Sequence, residues 1–569
     1  MGTARIGVSS ARCRLSLKLH NEIVVKQNAL TWWSPSASSE DGGVKSLTSA
    51  LGRLEEAYWV LARNGCFALT PGSLSDAGVQ PFDGPGTRCV GFLPPLPIEH
   101  LGDPGFRTDH RLRYAYVAGA MANGIASAEL VEALAGAGML GFFGAAGLDL
   151  PRIEEAIERL QRSLAAESFG FNLIHSPNEP DREAATVSLY LRKGIRLVEA
   201  AAYLRLTLPV VRYRMAGIFR DAEGRVAAPN RIVAKVSRAE VATQFMSPPP
   251  EELLNELVRS REITPGQAQM AAEIPVAQDV TAEADSAGHT DNRPLVTLLP
   301  TLLSLRNRLQ QKYGFALPLR VGAAGGLSTP GALAAAFAMG AAYVATGSVN
   351  QACVESGASE GVRRLLAQAE QADTAMAPAA DMFEMGVKVQ VLKRGTMFPM
   401  RAAKLYELYR AYSGLDMLPA TERTTLEKQF FRTSLEAAWQ GTRDYFLKQD
   451  PRQVERAERD AKHKMALVFR SYLGLSSRWA NAGDPERVLD YQVWCGPAMG
   501  AFNEWTKGSW LEKAENRRVA EVGLNLLCGT AVQLRVQALR NQGIPLPVEL
   551  TNCPPLEQTD LRTVLYSDE

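Results

Sequence analysis

The stretch Val-Gly-Ala-Ala-Gly-Gly-Leu-Ser-Thr-Pro at residues 321–330, followed by Ala-Thr-Gly-Ser at residues 345–348, decides the fold. Each begins as a short apolar strand that breaks at glycine, and the first continues into a predicted helix over 330–339. Paired glycines let a backbone approach an anion closely, and the free N–H groups at the start of a helix point at it. Two such strand ends in succession are typical of the phosphate site after strands 7 and 8 of a (β/α)8 barrel. Two ordinary βα turns are the alternative.

The surrounding region, residues 110–355, alternates short apolar segments with amphipathic helices, which indicates βα units and a parallel sheet. The strand candidates are residues 116–120, 140–143, 170–174, 197–200, 232–236, 280–283, 319–322 and 343–346. Eight strands close a barrel, and the region has close to the ~250 residues typical of one. A doubly wound open sheet is the competing architecture, but its GxGxxG is missing from the first turn. We therefore predict an α/β fold with a TIM (β/α)8 barrel.

The other parts of the chain are less regular than the barrel. Residues 44–64 predict an amphipathic helix, and residues 360–545 are largely helical without a convincing strand. An aromatic and glycine-rich loop at 494–503 either packs between two domains or forms a lid over the barrel mouth. The predicted domains are an N-terminal module without assigned role (1–108), the barrel (109–358), a mainly helical subdomain (359–545) and a tail (546–569).

Composition limits the partners of the chain. Its 62 basic and 61 acidic residues give a net charge of +1, so no global field attracts nucleic acid or an anionic membrane. The seven cysteines have neither a CxxC pair nor metal-like spacing, which suits a reducing compartment. No secretory signal or transmembrane span is evident. These features predict a cytoplasmic protein without a metal site and without nucleic-acid or membrane partners.

In a barrel, functional side chains concentrate at the carboxyl ends of the strands. The first strand ends in Gly119, Ala120 and Met121, the start of a run of mostly small residues (119–124) that would let a flat ring lie against the backbone. Asn172, near the end of the third strand, offers an amide that suits the edge of a heterocycle. Lys235 interrupts an apolar strand, and a buried lysine is costly unless it meets an anion. The alternative for Lys235 is a snorkelling side chain on the barrel rim.

The sixth strand runs into Glu-Ala-Asp-Ser-Ala-Gly-His-Thr-Asp-Asn-Arg-Pro at residues 283–294, the most polar strand end in the chain. His289 in this loop is the best candidate for an acid or base near neutral pH, although a loop histidine is often merely structural. His175 has a weaker case on the same grounds. Asp373 and Asp381 flank a helix predicted to begin near residue 379, where helix capping is their expected role.

Several long motifs resemble the PfaD-type family, the trans-acting flavin enoyl reductases of polyketide and polyunsaturated fatty acid synthases. This family is related to nitronate monooxygenases and to flavin enoyl-acyl-carrier-protein reductases. The resemblance covers roughly residues 98–545. Its motifs are Ala-Tyr-Val-Ala-Gly-Ala-Met-Ala-Asn-Gly-Ile-Ala-Ser (115–127), Gly-Phe-Phe-Gly-Ala-Ala-Gly (141–147), Phe-Gly-Phe-Asn-Leu (169–173) and the loops at 283–294 and 494–503.

The resemblance implies FMN as cofactor, with hydride passing from NADPH through FMN to the β-carbon of a 2-enoyl thioester on an acyl carrier protein. His289 would hold the thioester carbonyl or protonate the α-carbon as general acid. The cofactor-binding residues implied are Gly325, Gly326, Gly347 and Ser348 at the phosphate, Gly119, Ala120 and Met121 under the isoalloxazine, Asn172 and Lys235 at its polar edge, and Asp285.

Other readings of the same residues remain open. The resemblance also admits a reductase of a polyunsaturated fatty acid synthase or a nitronate monooxygenase, in which His289 would abstract a proton. A catalytically silent scaffold and a homodimer are further possibilities. The helical subdomain would dock the acidic carrier through Lys404, Arg410 and Lys428. Ala287 stands where the family usually has glycine, and a positive φ there would strain the loop by about 1 kcal/mol.

Overall fold

The computed structural model describes residues 30–36, 38, 41–72, 86–165, 168–175, 180–551 and 553–565. The chain divides into two compact units, residues 1–97 with 532–552 and residues 98–531 with 553–569. The predicted boundary between residues 358 and 359 therefore lies inside the second unit.

The described residues form these regular elements. The strands are β1 Tyr58–Arg63, β2 Cys66–Pro71, β3 Arg88–Leu93, β4 Tyr116–Ala118, β5 Leu140–Phe143, β6 Phe169–Ile174, β7 Leu197–Ala201, β8 Phe219–Arg220, β9 Val226–Ala227, β10 Arg231–Val236, β11 Asp279–Glu283, β12 Gly288–His289, β13 Arg320–Ala324, β14 Val344–Thr346, β15 Thr374–Pro378 and β16 Lys388–Leu392. The α-helices are α1 Gly42–Gly52, α2 Pro104–His110, α3 Ala128–Gly136, α4 Leu150–Ser163, α5 Pro180–Lys193, α6 Leu208–Met215, α7 Ala239–Phe245, α8 Glu251–Arg259, α9 Pro265–Ala271, α10 Leu295–Tyr313, α11 Pro330–Ala338, α12 Ser348–Gln351, α13 Glu360–Ala367, α14 Phe398–Ala411, α15 Ala420–Thr425, α16 Leu435–Gln449, α17 Pro451–Arg459, α18 Ala461–Ala482, α19 Ala498–Thr506, α20 Val519–Asn541 and α21 Gln558–Leu565. A π-helix covers Leu426–Phe431.

The predicted barrel is confirmed. The strands β4, β5, β6, β7, β10, β11, β13 and β14 close on themselves in chain order, each parallel to its neighbours. All of the predicted strand segments of residues 110–355 are barrel strands. Every residue of β5 and of β13 is buried. Burial on both faces is the reason why parallel strands read as continuous apolar runs, and it made these strands predictable.

A buried ion network closes the amino-terminal end of the barrel. Arg320, the first residue of β13, donates to Asp279, the first residue of β11, with Nε 2.6 Å from Oδ1. His110 Nε2 lies 2.9 Å from the other oxygen of the same carboxylate. Although burial favours the protonated acid, Arg320 and His110 lower the pKa of Asp279 to about 2. His110 is therefore structural, and the network leaves the opposite end of the barrel for a site.

A small antiparallel sheet lies beyond the barrel, in the order β12-β16-β15. It corrects the prediction that residues 360–545 contain no strand, and it replaces the helix predicted near residue 379 with a turn. Val389 and Val391 of β16 are buried in the core of the helical region beside Phe383. In β12, Gly288 pairs with Gln390 and His289 with Val389. The sheet therefore connects the loop that carries His289 to the segment after the barrel.

The first unit contains a three-stranded antiparallel sheet in the order β2-β1-β3. The helix predicted over residues 44–64 is wrong in its second half, because α1 ends at Gly52 and β1 begins at Tyr58. Asn64 and Gly65 both have positive φ, 48° and 78°, as a tight hairpin turn between β1 and β2 requires.

Among the described residues, α20 is long and apolar enough to cross a membrane, and 72% of its apolar window is buried inside the protein.

Candidate active site

A cavity of about 440 Å³ lies at the carboxyl ends of the barrel strands. This volume is within the ~300–1,000 Å³ typical of ligand pockets. All of the predicted site residues line it: Gly119, Ala120, Met121, Asn172, Lys235, Asp285, His289, Gly325, Gly326, Gly347 and Ser348. They meet there because the strand ends of a closed barrel converge on one face.

The glycines after β13 shape one end of the cavity. Gly325 and Gly326 both have positive φ, 87° and 72°. A Cβ on Gly325 would lie 2.7 Å from the carbonyl carbon of Ala284, whereas a Cβ on Gly326 or on Gly347 would meet no atom within 4 Å. One glycine therefore permits close backbone contact, and the other two border open space. The start of α11, capped by Thr329, follows this turn, so the arrangement suits a phosphate group.

The backbone at Gly119 and Ala120 forms another wall. The Ala120 N–H donates to Oε2 of Glu199 over 2.9 Å. A Cβ on Gly119 would lie 3.4 Å from Oε1 of Glu199 and 3.9 Å from Nζ of Lys235. Because Gly119 has no side chain, this wall stays flat, and the charged groups of Glu199 and Lys235 lie beside it.

Lys235 is largely buried and paired with one carboxylate, which excludes the rim alternative. Its Nζ lies 2.9 Å from Oε1 of Glu283. Burial opposes the charged amine, but Glu283 and Glu199 outweigh it and raise the pKa of Lys235. Burial raises the pKa of Glu199, against the opposing effect of Lys235. Neither carboxylate was predicted from the sequence as a site residue, although Glu199 is a lone charge in an apolar strand, the same signal that identified Lys235.

Asn172 and Asp285 are fixed by neighbouring groups. Asn172 is buried in β6, and its Nδ2 donates to the carbonyl of Glu199 over 3.3 Å. Asp285 accepts hydrogen bonds from Nε2 of Gln390 (2.9 Å) and Nδ2 of Asn292 (2.8 Å), both to Oδ1. Gln390 belongs to β16, so the small sheet also positions the loop that follows β11.

His289 is paired with a carboxylate for which the sequence predicted another role. Its Nε2 lies 3.1 Å from Oδ1 of Asp381, in the turn between β15 and β16. The predicted capping role of Asp381 is wrong, because no helix begins there. Burial disfavours the charged imidazole, but Asp381, helped by Glu283, outweighs it and raises the pKa of His289. With 35% of its side chain exposed, His289 can donate a proton to a ligand in the cavity.

The loop before His289 is not strained. Ala287 does not have a positive φ, whereas Gly288 takes the left-handed conformation with a φ of 76°. Alanine at position 287 therefore carries no backbone penalty. Trp494 packs against Gly288, since a Cβ there would lie 3.5 Å from its Cε3. Within the described part of the chain, the buried Nε1 of Trp494 has no hydrogen-bond partner. Trp494, Gly496 and Ala498 line the cavity, so the loop at 494–503 forms part of its wall.

Substituting Asp381 with asparagine should lower the pKa of His289. Asp381 raises that pKa in the folded protein, so the imidazole stays charged to a higher pH than it would alone. Removing the carboxylate charge should make His289 lose its proton at a lower pH. An NMR titration of ¹³C-labelled histidine would measure this, with the resonance assigned from a His289→Gln variant. Asp373→Asn is the control, because Asp373 pairs with Arg394; an equal shift in both variants would contradict the pairing.

Two family models match adjacent parts of the chain. The nitronate monooxygenase model matches residues 107–411. The model of the inserted helical domain of [acyl-carrier-protein] S-malonyltransferase matches residues 412–491. The first covers the barrel and the small sheet, and the second covers most of the helices that follow.

The names of individual relatives refer to a fatty acid synthase or to polyketide and macrolactin biosynthesis. The chain is 49% identical to a polyunsaturated fatty acid synthase component of Thraustochytrium sp. over 79% of its own length and 30% of the relative. It is 46% identical to the polyketide biosynthesis protein PksE of Bacillus subtilis over 78% of its length and 58% of the relative. The chain thus spans less than two thirds of these relatives. The enoyl reductase domain of MlnA, from the macrolactin cluster of Bacillus amyloliquefaciens, matches with a TM-score of 0.74 and 39% identity over 78% of this chain and 99% of that domain.

Proposed function

The chain belongs to the nitronate monooxygenase family and is similar to the enoyl reductase domain of MlnA. From this premise we propose that it is an FMN-dependent enoyl reductase. Its substrate is a 2-enoyl thioester carried on an acyl carrier protein in polyketide biosynthesis or polyunsaturated fatty acid synthesis. NADPH is the reductant and the cytoplasm the location. The observation that carries the proposal is an ion-paired His289 in the same cavity as the glycine turn after β13.

The residues of the cavity suit FMN. Gly325, Gly326, Gly347 and Ser348 would hold its phosphate, and the flat wall at Gly119–Met121 would support its ring system. When bound, FMN supplies hydride transfer from a nicotinamide to the β-carbon of the substrate. Lys235 would balance negative charge at the ring edge, and its ion pair with Glu283 holds its amine in place.

The residues on the other side of the cavity would handle the substrate. The raised pKa of His289 favours its charged imidazole, the form that a general acid needs. It would donate a hydrogen bond to the thioester carbonyl or a proton to the α-carbon. The buried Nε1–H of Trp494, without a partner among the described residues, is a second donor available to that carbonyl.

The helical region after the barrel is the proposed docking surface for the carrier. It matches a domain from an enzyme that acts on an acyl carrier protein. Of the basic residues predicted to meet an acidic carrier, Lys404 is already paired with Glu422 at 2.7 Å. Arg410 and Lys428 are exposed and remain the better candidates.

An absorbance spectrum under anaerobic conditions tests the proposal. The purified protein should show flavin bands near ~450 nm that bleach with NADPH and return on addition of an enoyl thioester. Recovery with oxygen alone would favour a nitronate monooxygenase. A protein that cannot be loaded with FMN would refute the proposal and favour the silent scaffold.

A further inference from the structure

A second cleft opens on the other side of His289. Its volume is about 700 Å³, and it lies between the barrel mouth and the helices α16 and α18. The two cavities share part of their walls, including Asn172, Ile174, His289 and Trp494. A ligand that reaches His289 can therefore extend into either cavity.

The walls of this cleft are mainly apolar. The charged groups that border it have partners within the protein. Arg470 donates to the carbonyl of Ala380 over 2.8 Å, and Arg478 lies over the ring of Tyr445. Arg182 donates to the carbonyl of Leu148, Glu183 pairs with His175, and Asp381 pairs with His289. Tyr445 and Leu475 remain 40% and 39% exposed. Uncovered apolar groups in one cleft mark a binding surface. The aromatic residues that line it are Phe431, Tyr445, Phe446, Tyr472, Trp479 and Trp494.

Two glycines keep the cleft wide. Gly441 lies in the interior of α16 and Gly474 in the interior of α18, and both line the cleft. A Cβ at either position would meet no atom within 4 Å. Glycine weakens a helix interior relative to alanine, and packing does not require it here. The sequence therefore leaves room in the cleft at the expense of helix stability.

We propose that this cleft binds the acyl chain of the substrate, which extends several carbons beyond the double bond. The inference rests on the proposed function. In this arrangement the thioester carbonyl lies at His289 and the double bond faces the first cavity. The part of the acyl chain beyond the double bond then leaves that cavity, and the cleft is the apolar space that adjoins it. Burial of each methylene is worth about fourfold in binding, so the enzyme prefers longer chains.

The test compares enoyl thioesters of N-acetylcysteamine with four and eight carbons, which need no carrier protein. In the wild-type holoenzyme, kcat/KM should be at least tenfold higher for the eight-carbon substrate. Gly441→Leu and Gly474→Leu should each reduce this ratio severalfold while turnover of the four-carbon substrate and the flavin content persist. Gly441→Ala is the control, since it favours the helix while adding only a methyl group.

The outcomes separate the inference from the function on which it rests. If the wild type reduces both thioesters equally well, or if the leucine variants lose activity on both alike, the cleft does not bind the chain. The second result would place the carrier arm there instead. If the wild type reduces neither these thioesters nor a carrier-bound enoyl thioester while its flavin is reduced by NADPH, the proposed function fails and the inference with it.

Discussion

His289→Ala should yield a yellow protein whose kcat/KM for an enoyl thioester is lower by about 10²–10⁴-fold, the usual contribution of a positioned general acid. The flavin should stay bound, because the glycine turn and the flat wall at Gly119 lie on other strands of the barrel. The loss should appear in one half-reaction. Anaerobic bleaching by NADPH should keep its rate, and reoxidation by the enoyl thioester should become slow, as stopped-flow absorbance would show.

The NADPH half-reaction is the internal control for this variant. Equal slowing of both half-reactions would contradict the assignment, since a proton donor to the substrate has no part in flavin reduction. Release of the flavin would move His289 from chemistry to cofactor binding. An unchanged rate of reoxidation would show that His289 is not the donor to the substrate.

Gly326→Ala should abolish stable flavin binding. The added methyl group would enter the open space in front of the turn, where no protein atom lies within 4 Å, and would displace the phosphate. Hydrogen bonds to a charged group are worth about 1.5–3 kcal/mol each, so losing two weakens FMN binding by about 100-fold or more. Flavin content after gel filtration and titration of the apo-protein with FMN would measure this.

Gly314→Ala is the matched control for that substitution. Gly314 also has positive φ, 62°, at the end of α10, and a Cβ there also meets no atom within 4 Å. Both alanines should therefore lower stability by about 1 kcal/mol through the backbone, but only Gly326→Ala should lose the flavin. Full retention of FMN by Gly326→Ala would refute the phosphate assignment.

The barrel and the composition of its cavity could be predicted because their signals are local. Parallel strands buried on both faces read as apolar runs, and each ends at glycine or at a polar residue. Because the carboxyl ends of the strands converge on one face of an eight-stranded barrel, Gly119, Asn172 and Lys235 could be placed in one site although they are far apart in sequence. Glu199 gives the same signal as Lys235, a lone charge in an apolar strand, and was equally predictable.

The partner of His289 could not be predicted because its position depends on long-range pairing. The strands β15 and β16 are five residues long and lie among helices, and β16 pairs with β12 across about 100 residues of sequence. No local pattern records that pairing. Without the pairing of β12 with β16, the sequence pattern predicts a capping role for Asp381 and does not indicate its contact with His289. The error over residues 44–64 is different, since Asn64 and Gly65 are a local turn signal that the amphipathic pattern outweighed.

The attachment of β12 to β16 has a consequence for how the gene can be divided. A fragment that ends after the last barrel strand would keep the glycine turn and Lys235. It would lack β16, which pairs with the strand that carries His289, and Asp381, which raises the pKa of His289. A recombinant gene cut at that point would encode the cofactor-binding residues without a positioned general acid. The segment that has to be inherited as one piece therefore extends from the barrel at least through Leu392, and a crossover after the barrel preserves activity only beyond that residue.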